Sequence, residues 1–327
     1  MSRTFRTRVF ALLAALALLW GAACAQSDAR HDQVFDASQD AGRLTARFLY
    51  LLSPDGEKSG DATILTSPDG KVMLLDAGEP GCADQVIAAL QALGVSRIDY
   101  LVASHPHVDH VGGFAEVLRT FPVGAVYTSF VEYPTAPVAA YLAEIQRQGI
   151  PHIRLAQGDT FAFGDQVTVE VFHPSAEIEY YEGYPDNSTQ FVNDLSLVLR
   201  FAYGDSSMLF GGDVYATMEQ IADKYGERLQ SDVFKVGHHG AATSSSKPYR
   251  EAISPKIAVM ISDTLSDLGI YQKYRKMDSD VYITYFDGSV RVSTAGDGAY
   301  DVLTKGTGKP TFWTDELHPT DPFKFQG

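Results

Sequence analysis

This sequence predicts an α+β fold, a four-layer αβ/βα sandwich in which two mixed sheets are flanked by helices. Three observations lead there. Apolar strand-like runs and helix-periodic runs alternate along 327 residues with no internal repeat and no linker-like stretch. The order of strands followed by helix occurs twice, the second time from about Ile153 onward. Five strand-like runs end at Asp76, the His105 cluster, His173, Asp213 and His239, most of them beside glycine. Two sheets packed face to face, with helices outside, bury all of these strands in one domain.

Each element has a local reason. Arg43 to Leu52 alternates like a strand, and 62–66 and 71–75 read as strands joined by the Pro68-Asp-Gly70 turn. Val86, Ile87, Leu90 and Leu93 repeat at helical spacing before Gly94. A buried strand at 98–103, a helix from Phe114 to Thr120, a strand at 123–127 and a helix from Ala136 to Gln148 follow. Gly149 ends that helix. The second run offers strands near Ile153, at 161–163 and at 166–172, an irregular loop at 175–192, and a hairpin across Gly204-Asp205. A helix at 216–225 and strands at 232–236, 257–261, 281–283, 290–292 and 300–302 complete it.

The first 25 residues are a different object. Arg3, Arg6 and Arg8 precede an apolar run from Val9 to Trp20, and Ala23-Cys24-Ala25 fits an A-x-A cleavage site. The run is short for a membrane span. The expectation is an exported protein, periplasmic or extracellular, with no stable membrane insertion after leader removal. Lipidation of Cys24 and an uncleaved anchor are the alternatives. Residues 26–42 then form a flexible N-terminus, 43–305 the folded domain and 306–327 a C-terminal tail. Only Cys82 remains after cleavage, so no internal disulfide is expected.

Losing the leader arginines takes the formal charge from −15 to −18. Proteins that grip long nucleic acid present basic surfaces, so this balance weighs against such a partner. Bound cations reverse the field locally, which keeps a small anionic substrate in view.

Between Ser104 and Gly113 the chain places His105, His107, Asp109 and His110 within six residues, on the loop leaving a strand. Imidazole and carboxylate are ligands that zinc, iron and manganese accept, so a metal site is expected. His31, His152 and His318 fall outside any motif and read as surface residues.

His105-x-His107-x-Asp109-His110 resembles the signature of the metallo-β-lactamase superfamily. Gly60-Asp61-Ala62, Leu75-Asp76-Ala-Gly78, Asn193-Asp-Leu-Ser196, Phe210-Gly-Gly-Asp213 and Lys235-Val-Gly-His-His-Gly240 resemble one branch of it. That branch holds the hydrolase domain of ComEC-type competence proteins and the phosphorylcholine esterases. The resemblance runs from about Arg43 to Val302 and implies the sandwich fold and a metal-dependent hydrolase. It implies two divalent ions, zinc with manganese or iron as alternatives. His105, His107 and His173 would hold the first, and Asp109, His110 and His239 the second. Asp213 would bridge them with one carboxylate oxygen for each ion. Asp109 and His238 are carried over as catalytic, His238 facing the substrate to bind phosphate or protonate a leaving group. The reverse assignment of His238 and His239 is the alternative.

His173 has a second reading as a strand-end histidine held by local hydrogen bonds. Asp76 would support the His loop from behind, and Asn193 and Ser196 would orient strand or substrate or simply form a turn. A two-metal site about 3.5–4 Å across generates hydroxide at neutral pH and clamps a phosphoryl oxygen. The implied activity is cleavage of a small phosphoester, phosphodiesterase-like, by metal-activated hydroxide. A competence-type nuclease, a β-lactamase-like hydrolase of another ester or amide, and a non-catalytic metal-binding protein are the alternatives.

The chain departs from the branch in an insertion at 51–59 and in lacking an Asn-Tyr-Gly-His-Pro-like run within 262–276, so the branch's substrate does not transfer. Glu179-Tyr-Tyr-Glu-Gly-Tyr184 reads either as an acidic surface loop or as an aromatic wall for a choline-like cation.

Overall fold

The computed structural model describes residues 33–305 except 55, 57, 130–132, 178–187 and 265–266. The leader, the tyrosine-rich loop, the C-terminal tail, His31 and His318 lie outside the described residues.

The first half builds a sheet from β1 (Leu44–Phe48), β2 (Ala62–Thr66), β3 (Val72–Ala77), β4 (Ile98–Ala103), β5 (Val123–Thr128) and β6 (His152–Arg154), in that spatial order. The first three pair antiparallel and β3 to β6 pair parallel. The second half repeats the plan with β7 (Thr160–Phe163), β8 (Val167–His173), β9 (Val198–Tyr203), β10 (Ser206–Phe210), β11 (Val233–Lys235), β12 (Ile257–Met260) and β13 (Asp280–Ile283). Here β7 to β10 pair antiparallel and β10 to β13 parallel. The chain then returns to the first sheet, adding β14 (Val290–Thr294) and β15 (Asp301–Thr304) beside β1.

Parallel pairs need crossovers, and helices supply them. They are α1 (Ala83–Ala92), α2 (Val108–Val111), α3 (Phe114–Thr120) and α4 (Ala136–Gln148) in the first half. In the second half α5 (Thr189–Asn193) lies between the antiparallel β8 and β9, α6 (Thr217–Tyr225), α7 (Lys247–Ile253) and α8 (Leu268–Arg275) supply the crossovers, and α9 (Thr284–Asp287) lies between β13 and β14. In α4 Thr135 stands at the N-cap, Pro137 opens the first turn, and Gly149 ends the helix at φ 66°, where a side chain would be strained.

Side-chain alternation along the strands creates the layers. On β3, Leu74 packs outward with Val86, Leu90, Phe114 and Val117, whereas Met73 and Leu75 face inward. On β10, Leu209 packs outward with Ile221 and Ile253, whereas Met208 and Phe210 face inward. Between the sheets Phe48, Phe210, Phe201 and Phe163 meet in series at 5.3–6.1 Å, the first pair stacked and the next two edge to face. Burying each such ring stabilises the fold by roughly 1.5–3 kcal/mol. No helix among the described residues is long and apolar enough to cross a membrane.

Two expectations need correction. The described part of the supposed loose N-terminus, residues 33–42, is pinned. Buried Arg47 donates to Val34 O at 2.7 Å and pairs with Asp40 at 2.8 Å, and Arg291 reaches the same carboxylate at 3.1 Å. Nor is 175–192 wholly irregular, because α5 forms at its end. Ser188 accepts a hydrogen bond from Phe191 N as the N-cap, and Phe191 and Val192 are buried with Leu195.

Candidate metal centre

The C-terminal ends of β3, β4, β10 and β11 open toward one another at one edge of the sandwich. Near the end of β3, Asp76 takes φ 59° and turns its carboxylate toward the β4 exit. It accepts from Ser104 N at 2.8 Å and Ser104 Oγ at 2.7 Å, and from His110 Nδ1 at 2.9 Å. His110 is thereby held with Nε2 forward, 3.2 Å from Asp213 Oδ2. Ser104 Oγ also lies 3.0 Å from His105 Nδ1, and His105 Nε2 stands 2.9 Å from His107 Nδ1. Two ring nitrogens thus meet at one point.

After β10, Gly211-Gly212 lets Asp213 approach. A Cβ on Gly212 would lie 2.5 Å from the Ser196 side chain, whose hydroxyl accepts from Asp213 N at 3.0 Å. After β11, His238 and His239 have φ 50° and 54°. Left-handed backbone at two successive non-glycine residues is strained, and such strain concentrates at functional sites. Its effect is to separate the two imidazoles. His239 binds Asp61 Oδ1 through Nδ1 at 3.0 Å and turns Nε2 toward Asp109 Oδ2 at 3.3 Å and Asp213 Oδ2 at 3.6 Å. That buried Nε2 makes no well-directed hydrogen bond. His238 instead binds Thr243 Oγ1 at 2.6 Å through Nδ1, with its ring tilted on Tyr215.

His105, His110 and Asp213 can share an ion, and so can Asp109, His110 and His239, each set offering ligand atoms within 4.8 Å of one another. His107 joins through its close approach to His105. A carboxylate on the rear ring nitrogen, with the other nitrogen turned to the remaining donors, is the arrangement that fixes the tautomer of a metal-ligating histidine. Asp76–His110 and Asp61–His239 both have it.

Electrostatics fit cations too. Asp61, Asp76, Asp109 and Asp213 converge here against a single buried ammonium, Lys235. Burial opposes ionisation of Asp213, yet His110, His239 and Lys235 hold it well below the usual carboxylate range. Burial lowers His239, but Asp61 and Asp213 push it up to about 10. Burial keeps His105 and His107 below their ordinary value, neutral and able to donate lone pairs. This donor set and carboxylate excess suit divalent ions.

Some expected residues are placed differently. His173 joins no ligand group among the described residues. A register shift before the end of β8 turns its Nε2 onto Asp194 O at 2.6 Å, and burial pushes its pKa down to about 4. Asp213 turns one carboxylate oxygen, Oδ2, toward the cluster. Its Oδ1 accepts from His238 N at 3.1 Å and lies 3.7 Å from Lys235 Nζ, leaving Oδ2 for the cluster. His152 is exposed on β6, and burial pushes the Cys82 thiol up to about 12, which makes it inert.

Asp61 and Lys235 stood in quoted motifs without a role. The sequence signal was present: a lysine inside the apolar run Asp232-Val-Phe-Lys-Val236.

The fold and the ligand set define a metal-dependent hydrolase. The family model of the Metallo-beta-lactamase superfamily matches residues 55–263, and the chain belongs to that superfamily. Competence protein ComA of Neisseria gonorrhoeae is 32% identical over 202 residues, covering 61% of this chain and 25% of that protein. ComE operon protein 3 of Bacillus subtilis is 27% identical over 177 residues, 54% of this chain and 21% of that protein. A hydroxyacylglutathione hydrolase of Crocosphaera subtropica is 27% identical over 146 residues, 44% of this chain and 51% of that protein. The chain therefore spans about a quarter of the length of the competence relatives and half that of the hydrolase.

Proposed function

We propose that this hydrolase cleaves a small phosphoester, holds two divalent ions, and acts after export. The observation that carries the reading is the division of labour between the paired histidines. His239 Nε2 points into the cluster, while the half-buried His238 stands beside it with Nδ1 taken by Thr243. Its Nε2 is the nitrogen it can offer to a substrate oxygen.

In this reading His105, His107 and Asp213 hold one ion, and Asp109, His110, His239 and Asp213 the other. Such ions supply Lewis acidity, polarising a phosphoryl oxygen and making water nucleophilic near neutral pH. The protein's own residues do the rest. Asp76 and Asp61 fix the His110 and His239 tautomers, and Thr243 and Tyr215 set the His238 ring. A positioned imidazole there binds a phosphate oxygen or passes a proton to the departing group. The acidic balance of the chain favours a small substrate over long nucleic acid.

Likeness to hydroxyacylglutathione hydrolase supports a second reading, hydrolysis of an acyl-glutathione compound. One panel decides: bis-p-nitrophenyl phosphate, p-nitrophenyl phosphate, a hydroxyacylglutathione, a chromogenic β-lactam and single-stranded DNA, each with zinc and with manganese. Turnover of the phosphodiester above all others supports the proposal, and turnover confined to the acyl-glutathione overturns it. Mass spectrometry of the exported chain checks the leader. A mature N-terminus at Gln26 is expected, and a diacylglycerol on Cys24 or a retained Met1 contradicts it.

A further inference from the structure

We infer that Lys235 and Asp61 form a positioning pair that sets how the second half of the molecule presents His239 Nε2 and Asp213 Oδ2 to metal. The inference rests on reading the cluster as a metal centre.

Lys235 ends β11, and its side chain is 4% exposed, so it does not reach a substrate. Its Nζ pairs with Asp61 Oδ2 and lies 3.7 Å from Asp213 Oδ1 and 3.5 Å from Gly212 O. Asp61 comes from the other sheet, just before β2. Its second oxygen holds His239 Nδ1, its N donates to Asp109 O at 3.0 Å, and its O accepts from Gly78 N at 2.8 Å. One residue thus ties together the exits of β3, β4 and β11. Gly60 makes this possible: at φ +79° a Cβ there would lie 1.7 Å from Asp109 O.

A buried ammonium beside a cation site repels the cation. Repulsion alone would make Lys235 a liability, so its value lies in geometry. It pairs with Asp61 Oδ2 and faces Asp213 Oδ1, so that Asp61 keeps its other oxygen on His239 and Asp213 keeps its other oxygen toward the cluster. Asp76, which supports the first half, is held instead by hydrogen bonds from Ser104 N and Oγ.

The two effects have opposite signs in one experiment. Wild type, Lys235→Met, Asp61→Asn and the double variant are loaded with zinc and dialysed. Zinc content is then measured, and zinc release to excess chelator is timed. Losing a partner behind a metal ligand costs roughly 10–100-fold in affinity. Each single variant is expected to release one equivalent about 10–100-fold faster. The double variant is expected to be no worse than the worse single, since the two act through one another. Release from a folded Lys235→Met that is unchanged or slower overturns the inference, because repulsion would then be the larger effect. Should Lys235→Met fail to fold, Asp61→Asn decides, since it keeps an acceptor for His239, and unchanged release from it overturns the inference. Wild type that binds no zinc sinks the metal-centre reading itself, with the inference.

Discussion

The two halves of the molecule share a strand plan but staff its exits differently. In each, the last antiparallel strand becomes the first parallel one, β3 in the first half and β10 in the second. Asp76 and Asp213 leave those matching strands, and the His105–His110 loop and the His238–His239 turn leave the next ones, β4 and β11. Yet Asp76 stands behind the imidazoles, bound to Ser104 and His110, whereas Asp213 stands in front with Oδ2 toward His110 and His239. The first half supplies a run of donors consecutive in sequence. The second half supplies a carboxylate that faces Lys235 and one histidine held by Asp61. Equivalent places in a fold therefore do not fix equivalent jobs; the side chain's partners do.

The largest test of that contrast substitutes the two aspartates. Asp213→Ala is expected to lose at least one metal and nearly all turnover. Asp76→Ala keeps every forward-facing donor and should lose metal affinity by about 10–100-fold, the scale for a supporting partner. Metal analysis and turnover on the same preparations check this. A milder effect at Asp213 than at Asp76 would reverse the assigned roles.

A smaller effect is expected where the halves are joined. Gly60→Ala adds a Cβ onto Asp109 O at φ +79° and should cost roughly 1–3 kcal/mol of stability together with activity. Gly70→Ala is the control: φ is +85° but nothing lies within 4 Å, so about 1 kcal/mol is expected, with activity kept. Thermal denaturation and assay of both variants check the pair; equal activity loss in the two would remove the Gly60–Asp61 loop from the site.

The smallest effect lies in the first half's outer layer. Glu144 accepts from Arg119 Nε at 2.9 Å and Arg147 Nε at 2.8 Å, and these bonds hold its pKa at about 2 against an ordinary 4.5. A depressed carboxyl stabilises the fold fully above its unfolded pKa and loses that contribution as pH falls through the folded one. The Tm gap between wild type and Glu144→Gln should therefore be constant above about pH 5 and shrink toward pH 2. A gap that stays flat with pH contradicts the pairing.

Legibility in the sequence followed the same divide. Ala136–Gln148 was readable to the residue, because periodicity, a proline near the start and a closing Gly149 mark α4, and Phe114–Thr120 was readable approximately. The His105–His110 loop was readable because its donors are contiguous. α5, α7 and α8 were not, since they are short and take their stability from tertiary burial of residues such as Phe191, Tyr249 and Ile270. His173 kept two readings in the sequence, because a strand-end histidine looks the same whether it faces a metal or a neighbouring carbonyl, and the structure places its Nε2 on Asp194 O. The role of Asp61 is not legible in the sequence, because its partners, His239 and Lys235, are more than 170 residues away.

The central claim is that the cluster is a metal centre whose second half contributes His239 and not His238. Counting zinc per chain in wild type, His238→Ala and His239→Ala tests it most directly. The account predicts close to two ions in wild type and in His238→Ala, with turnover of the latter down about 10²–10⁴-fold, the usual scale for losing an acid–base group. It predicts at least one ion fewer in His239→Ala, since one ligand less leaves that ion weakly held. Metal lost from His238→Ala and retained in His239→Ala would contradict the account.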